Sequence, residues 1–284
     1  MTPYLIQIGN ALSLAALLFV VSSGFTLIFG LLRVVNLAHG SLYLLGGYVG
    51  MVMARWTGSF FIGGLTALVA IGILGSLLDR VLLERIRNQE LRQVLLTLGV
   101  AFVINDLCLV IWGGDALSVP VPPALRGAAH VGDLFYPKYR LFMIAAGFAI
   151  FIFLWILYNR TRLGALIRAG VDDKEMAEAI GIKISRLFVF TVMLGSALAG
   201  IGGVLGGAFL TLYPGADADI LVYSLAIVII GGQGSLVGAA VASLLVGLLA
   251  TFGQVWFPEL AYFIIFGPMA LLLAFRPYGL FGRG

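Results

Sequence analysis

Long runs without a charged residue constrain this chain more than any other feature. A helix that crosses a bilayer needs about 20 predominantly apolar residues, and most of the runs reach or approach that length. The longest, residues 220–258, would extend about 58 Å as one helix, nearly twice the hydrocarbon thickness of about 30 Å, so it must turn back once. We therefore predict a protein that crosses a membrane several times. The uncharged runs are 1–32, 34–54, 56–78, 141–159, 187–216, 220–258 and 260–275.

The charged residues that remain are few and clustered. They make up 11% of the chain, against about 25% in ordinary soluble domains, which excludes a soluble enzyme and a disordered chain. Segments 79–92 and 160–186 hold 17 of the 30 charges. If both segments face the cytoplasm with Arg33 and the C-terminal tail, 13 of the 17 basic residues lie on that side, which is the positive-inside pattern. The pattern predicts an outer N-terminus and a cytoplasmic C-terminus.

These features predict an all-α fold, a polytopic transmembrane helix bundle. A β-barrel is disfavoured because its strands alternate apolar and polar residues, whereas these runs are apolar on every side. We expect one transmembrane domain, residues 1–284, with cytoplasmic loops near 79–92 and 159–186 and an outer loop near 113–139. Nine membrane segments satisfy the charge distribution, and eight with a re-entrant or broken pair also satisfy it. The predicted helices are 4–32, 37–54, 60–78, 93–112, 141–158, 187–212, 220–231, 235–252 and 260–275.

Sequence motifs for catalysis and cofactor binding are missing. No glycine-rich phosphate loop precedes a lysine, and no Gly-x-Ser-x-Gly motif occurs. The two histidines and the single cysteine, Cys108, are too few and too far apart for a metal site with the usual ligand spacing. We therefore expect a protein that is not an enzyme and has no metal or cofactor. Any use of ATP would require a partner subunit.

The 38 glycines serve two predicted purposes. Small residues recur every four positions on two predicted helices, a spacing that lets helix backbones approach closely in lipid. Other glycines cluster with polar residues, where helices can break. Packing within one subunit is the simpler interpretation of the spacing, and a subunit interface or moving contact is the alternative. The two series are Gly195, Ala199, Gly203 and Gly207, and Gly46, Gly50 and Ala54.

Polar residues interrupt the apolar runs at three places, which are candidate parts of a substrate pathway. Transporters often break helices near the middle of the membrane, where freed backbone groups contact substrates or ions. For the first two places, a plain turn at the cytoplasmic surface is the alternative. At the third, Asp106 lies about 20 Å along its helix, and a structural acid with a polar partner is the alternative. The candidates are Asn36, His39, Gly40 and Ser41, then Gly231, Gly232, Gln233, Gly234 and Ser235, and lastly Asn105 and Asp106.

The charged segment 160–186 contains a predicted short amphipathic helix. Asp172 or Asp173 can cap its N-terminus, acids follow in the first turn, and Gly181 suits its C-terminus. Such a helix resembles the coupling helix that ABC-transporter permeases insert into a groove on their ATPases, and a solvated or lipid-surface loop is the alternative. Met176 and Ile180 form its apolar stripe. The segment comprises Asp172, Asp173, Glu175, Met176, Ala177, Glu178, Ala179, Ile180 and Gly181.

Six motifs in one order resemble the permease subunits of branched-chain amino acid ABC importers. The resemblance runs from about residue 8 to residue 282, and several matches in one order are more specific than any single match. The motifs are GLLRVVNLAHGSLYLLGGY (30–48), TRLGALIRA (161–169), AEAIGI (177–182), GSALAG (195–200), GGQGSLVGA (231–239) and RPYGLF (276–281).

This resemblance implies a permease subunit that moves branched-chain or related amino acids across the bacterial inner membrane. The implied partners are a paralogous permease or a second copy of this chain, two cytoplasmic ATP-binding subunits and a periplasmic substrate-binding protein, with the lipid bilayer as surroundings and no nucleic acid. Gln233 departs from the usual apolar residue, and no lysine occurs near residues 220–221, where the family suggests one. Because family members also import urea, amides and organic acids, these substrates stay open, as does a passive channel.

Overall fold

The structure is a computed structural model that describes residues 2–32, 35–86, 89–131, 134–276 and 279–282. Within these ranges the chain is almost entirely helical, and the main interruption is one β-hairpin. The helices are α1 (Thr2–Leu32), α2 (His39–Thr57), α3 (Phe60–Leu78), α4 (Glu90–Trp112), α5 (Lys138–Arg160), α6 (Arg162–Asp172), α7 (Lys174–Ala179), α8 (Ile184–Phe209), α9 (Ala216–Gly231), α10 (Leu236–Trp256) and α11 (Ala261–Phe275). The strands are β1 (Ala128–Val131) and β2 (Leu134–Pro137).

Six helices in the described part of the chain are long and apolar enough to cross a membrane. This confirms the predicted all-α polytopic membrane bundle. Three further helices, α2, α9 and α11, have 19, 16 and 15 residues and are shorter or less apolar than the six. The six candidate spans are Tyr4–Leu31, Phe60–Ile86, Glu90–Trp112, Lys138–Arg160, Ile184–Phe209 and Leu236–Trp256.

The bundle is organised around α1 and α8. In the apolar stretches of these two helices, 83% and 72% of the residues are buried inside the protein, whereas in α4 and α5 only 17% are buried. α1 packs against α5, α8, α9 and α10, and α8 also packs against α2 and α3. The β-hairpin lies at one end of the bundle, called the hairpin end below. The helices α6 and α7 lie at the opposite end, called the α6–α7 end.

Glycines form the contacts between the central helices. A methyl group added to Gly195 of α8 would lie 2.6 Å from the carbonyl oxygen of Gly24 in α1. A methyl group on Gly203 would overlap the carbonyl oxygen of Tyr43 in α2, and one on Gly46 would overlap the backbone of Gly200. The four-residue glycine spacing therefore brings helix backbones together within this subunit.

Three parts of the structure differ from the sequence predictions. The loop 113–139, which was predicted to face outward, contains a short β-hairpin that the sequence did not predict. The predicted loop 79–92 is mostly a helical extension of α3, with a π-helical turn at Asp79–Leu83 and a 3₁₀ turn at Glu84–Ile86. The short helix expected at 172–181 is present as α7, and a further helix, α6, precedes it in the segment predicted to be a loop. Hydropathy alone does not distinguish a charged helical extension from a loop.

We predict that Gly203→Ala destabilises the folded protein, whereas Gly99→Ala does not. The added methyl at residue 203 meets a backbone oxygen, and overpacking of this kind costs about 1–3 kcal/mol. At Gly99 of α4 no atom lies within 4 Å of the added methyl, so the second variant is a matched control. Thermal unfolding of both variants in detergent measures the difference, and equal melting temperatures would contradict the packing role.

Candidate functional site

The first turn of α2 lies inside the bundle, beside the middle of α1. Nε2 of His39 lies 3.0 Å from the carbonyl oxygen of Val21, which precedes the end of α1 by eleven residues, or about 16 Å. His39 is fully buried, and Phe25 packs edge-on against its ring with the centroids 5.2 Å apart. The chain therefore leaves α1 at the α6–α7 end and returns toward the centre before α2 begins.

The segment before α2 satisfies several of its backbone groups internally. Oδ1 of Asn36 accepts the N–H of Ala38 at 3.1 Å, and the Asn36 carbonyl accepts the N–H of His39 at 3.2 Å. The N–H of Leu37 donates to Oγ1 of Thr97 in α4 at 3.2 Å. In this conformation the N–H groups of residues 37–39 are occupied by the protein itself and are not free for a substrate.

Gly40 and Ser41 stabilise the place where α2 meets α9. A methyl group on Gly40 would overlap the carbonyl oxygen of Asp217 and lie 3.0 Å from Cβ of Leu221, so only glycine allows this approach. The Ser41 hydroxyl donates to the Ala38 carbonyl at 2.9 Å. The N-termini of α2 and α9 thus meet inside the bundle, and the positive ends of two helix dipoles lie close together.

Asp217 is a buried acid at this junction that the sequence analysis did not select as a site residue. Its side chain is 7% exposed, and the amide of Asn105 donates to both of its carboxylate oxygens at 3.0 Å. The side chains of Cys108 and Tyr48 lie near the carboxylate. The Tyr48 ring stacks on Trp112 with the ring centroids 4.8 Å apart. The sequence signal for Asp217 is only that of an acid in the first turn of a helix.

Asp106 lies next to Asn105 in α4, but its side chain is exposed. It precedes Trp112, the last residue of α4, by six residues, so it lies about 9 Å inside the helix end. The exposed face of α4 is otherwise apolar, with Phe102 and Val110 exposed by 63% and 82%. The structure therefore joins Asn105 to α9 and leaves Asp106 on the outer surface of the subunit. Among the described residues, no cluster of three or more His, Cys, Asp or Glu side chains is arranged to hold a metal ion.

Residues 231–235 form a tight turn between α9 and α10 at the α6–α7 end. Gly232 and Gly234 have positive φ angles of 95° and 72°, a conformation that favours glycine. Ser235 caps α10 by accepting the N–H of Gly238 at 3.0 Å. Gln233 is exposed. These residues give the turn its shape, and the three glycines among its first four positions leave little side-chain volume.

The same turn is enclosed by α1 and the C-terminal segment. A methyl group on Gly30 near the end of α1 would lie 2.6 Å from Cα of Gly234. The N–H groups of Leu280 and Phe281 donate to the last two carbonyl groups of α9 at 2.8 and 3.1 Å. Gly30 is nine residues beyond the contact with His39, or about 13 Å along α1. The structure therefore does not bring the two glycine-containing polar motifs together.

Segment 160–186 folds into α6 and α7, which are separated at Asp173. Oδ1 of Asp173 accepts the N–H of Met176 at 2.9 Å, so Asp173 is the N-cap of α7, one of the two predicted caps. Asp172 instead ends α6, and its side chain lies outside the described residues. Gly181 has a φ of 89°, which ends the helical segment as expected for a glycine C-terminal to a helix.

One side of α7 is anchored to the bundle and the other is exposed. Ala177 is 2% exposed, whereas Met176 and Ile180 are 60% and 69% exposed; Glu175, Glu178 and Ala179 are exposed as well. The anchoring cluster joins α7 to α6, to the end of α1 and to the start of α8. It consists of Leu31, Ile167, Ala177, Ile184, Leu187 and Phe188.

Comparison with known proteins finds similarity over nearly the whole chain. Residues 7–273 match the family described as "Branched-chain amino acid transport system / permease component". The chain is 24% identical to the "High-affinity branched-chain amino acid transport system permease protein BraD" of Pseudomonas aeruginosa, covering 99% of this chain and 96% of that protein. It is 26% identical to the Escherichia coli K12 permease protein LivH of the same description, with the same coverage. A probable LivH of Methanocaldococcus jannaschii is 24% identical over 96% and 91% of the two chains. The protein therefore belongs to the family of permease components of branched-chain amino acid transport systems.

Proposed function

We propose that this chain is the membrane-spanning permease subunit of an ABC importer for branched-chain or related amino acids. The observation that carries the proposal is the family match over residues 7–273, which includes both the central helices and the α6–α7 segment. The BraD and LivH relatives, which align along nearly their whole length, are named as permeases of branched-chain amino acid transport. ATP hydrolysis belongs to separate subunits, and a soluble binding protein delivers the substrate.

In this proposal, α7 couples the ATPase to the bundle. Its exposed Met176 and Ile180 offer an apolar surface of two side chains to a groove on the ATPase. Its buried Ala177 contacts the cluster that includes Leu31 of α1 and Phe188 of α8. Because α1 and α8 are the most buried spans, a displacement of α7 on ATP binding acts on the centre of the bundle. Alternating access then follows from rearrangement of these helices.

The substrate pathway in this proposal runs along the face that carries Asp106. A carboxyl side chain that faces hydrocarbon is unfavourable, so this face of α4 borders water beside the second permease subunit. Asn105 and Asp217 lie directly behind it and supply further polar groups. His39 and the junction of α2 with α9 lie deeper in the bundle, where His39 is fully buried. For residues 231–235 the pathway role stays a prediction from the sequence.

The proposed orientation places the hairpin end outside and the α6–α7 end in the cytoplasm. It is supported by the basic residues of α6, α7 and the segment before α4, which follow the positive-inside pattern. We propose one membrane domain of nine segments in the inner membrane, formed by the six long spans with α2, α9 and α11. The second permease is a paralogue or another copy of this chain, and two ATP-binding subunits complete the membrane complex.

Uptake by reconstituted vesicles tests the proposed function. We expect radiolabelled leucine to accumulate only when ATPase subunits, ATP and a substrate-binding protein are all present. Urea, amides and organic acids are the competing substrates, and competition by any of them in place of leucine would contradict the amino-acid assignment. A passive channel would equilibrate substrate without ATP.

We predict that the double variant Met176→Glu, Ile180→Glu loses ATPase binding. Two charges would replace the apolar stripe that docks in the ATPase groove, while Ala177 and its anchoring cluster stay unchanged. Copurification of the ATPase subunits should fall at least tenfold, and ATP-dependent uptake should fall with it.

The matched control is Met176→Leu, Ile180→Leu, which keeps two apolar side chains of similar volume. This variant should retain both copurification and uptake. If the charged variant still binds the ATPase and transports at the rate of the unmodified protein, α7 is not the coupling element.

We predict that a cysteine at residue 106 reacts with a water-soluble thiol reagent in the assembled transporter. The chain has a single cysteine, the buried Cys108, so Cys108→Ala provides a clean background. Asp106→Cys should be labelled at least tenfold faster than Leu65→Cys. Leu65 is 62% exposed, lies five residues from the hairpin end of α3 and belongs to an apolar face, which makes it the lipid-facing control. Equal labelling rates would contradict an aqueous or polar pathway along α4.

A further inference from the structure

An apolar groove opens at the hairpin end between the first turns of α1 and α5. Its volume is about 270 Å³. α1 contributes Leu5, Ile8 and Gly9, and α5 contributes Leu141 and Ile144. Leu5 and Leu141 are 54% and 40% exposed, so the groove is open along the side of the bundle. Both helices are candidate membrane spans, and the groove therefore lies where the hydrocarbon of a bilayer meets its headgroups.

Tyr136 of β2 closes the groove at its hairpin side, and its position is fixed. The Tyr136 hydroxyl lies 3.1 Å from the hydroxyl of Ser13 in α1. A methyl group on Gly9 would lie 2.8 Å from the tyrosine ring, so glycine is needed for the ring to reach this position. The wall of the groove is thus built from packed and hydrogen-bonded residues.

Two basic residues of α5 shortly precede the α5 residues that line the groove, although neither lines the groove itself. Lys138, the first residue of α5, is exposed and precedes Leu141 by three positions. Arg140 precedes Ile144 by four positions, and residues three and four apart are neighbours on a helix surface. The sequences of α1 and α5 contain no Asp or Glu. Lys138 therefore places a positive charge next to Leu141 of the groove, and no acid of these two helices balances it.

The guanidinium of Arg140 is held in place by neutral groups. It donates to Oδ1 of Asn10 in α1, and its central carbon lies 5.2 Å from the centre of the Phe209 ring. These contacts leave its charge in place while fixing it between α1, α5 and α8. Lys138, two positions earlier in α5, is exposed and keeps its charge free for a ligand.

We propose that this groove binds one acyl chain of an anionic phospholipid, whose headgroup phosphate contacts Lys138. The apolar wall accepts the chain, and each basic side chain near an anionic lipid strengthens association about fivefold. Because the groove lies on two membrane spans, its open side faces the bilayer. This position favours a lipid over a soluble ligand. The inference rests on the groove, its basic neighbour and the membrane spans, and it holds whatever substrate the transporter carries.

Native mass spectrometry of the purified full-length chain in neutral detergent tests this site. The probes are phosphatidylglycerol, phosphatidylcholine with the same acyl chains, and glycerol phosphate, which has the headgroup without the chains. We expect phosphatidylglycerol to bind at least fivefold more tightly than phosphatidylcholine, and glycerol phosphate to show no binding at the same concentrations.

Three variants separate the contributions of charge and shape. Lys138→Gln should weaken phosphatidylglycerol binding about fivefold, and Arg126→Gln, another basic residue near the hairpin, should leave it unchanged. Leu141→Trp fills the groove and should weaken both lipids while the melting temperature stays that of the unmodified chain. Equal binding of the two lipids, identical behaviour of the Lys138 and Arg126 variants, or full binding by Leu141→Trp would each overturn the proposal. Binding of glycerol phosphate as tight as that of the lipid would overturn the acyl-chain site.

Discussion

Backbone-to-backbone contact between α1, α2 and α8 is the interaction on which the rest of this structure depends. In lipid, moving an apolar side chain from the acyl chains into a helix interface gives no hydrophobic stabilisation. Helices therefore associate through close packing and polar contacts. Glycines provide that closeness here, because Gly195 faces Gly24 and Gly203 faces the backbone of Tyr43. The peripheral helices can then expose large apolar side chains to the membrane without weakening the centre.

This close packing also makes room for two helices that begin within the bundle. α2 starts beside the middle of α1, and α9 starts beside Gly40, so backbone ends lie where water is scarce. Such ends persist only when their polar groups have partners. Asn36 and Thr97 accept N–H groups before α2, and Asn105 donates to the acid in the first turn of α9. The negative charge of Asp217 lies at a helix N-terminus, where the dipole favours it.

Hydropathy and charge predicted most of the helices because both are local properties of the chain. The helix at Phe60–Leu78 has the predicted boundaries, and the cap at Asp173 follows from one side chain and its neighbours. The hairpin was missed because its strands have only four residues each and lie in a loop rich in proline. The Asn105–Asp217 contact joins residues 112 positions apart, and no local pattern shows which polar residues will meet. The sequence therefore marked Asn105 as important without showing its partner.

A short series of contacts connects α7 with the buried Asp217, and the proposed coupling of the ATPase to the bundle is based on it. Ala177 packs in the cluster that contains Leu31, and Leu31 belongs to the same rigid helix as Val21. The Val21 carbonyl contacts His39, and the next residue of α2 touches the backbone of Asp217. Closely packed interiors move as bodies and do not deform continuously. In the proposed coupling, a displacement of α7 is therefore passed to α1 through this packing and, with α1, to the junction of α2 and α9.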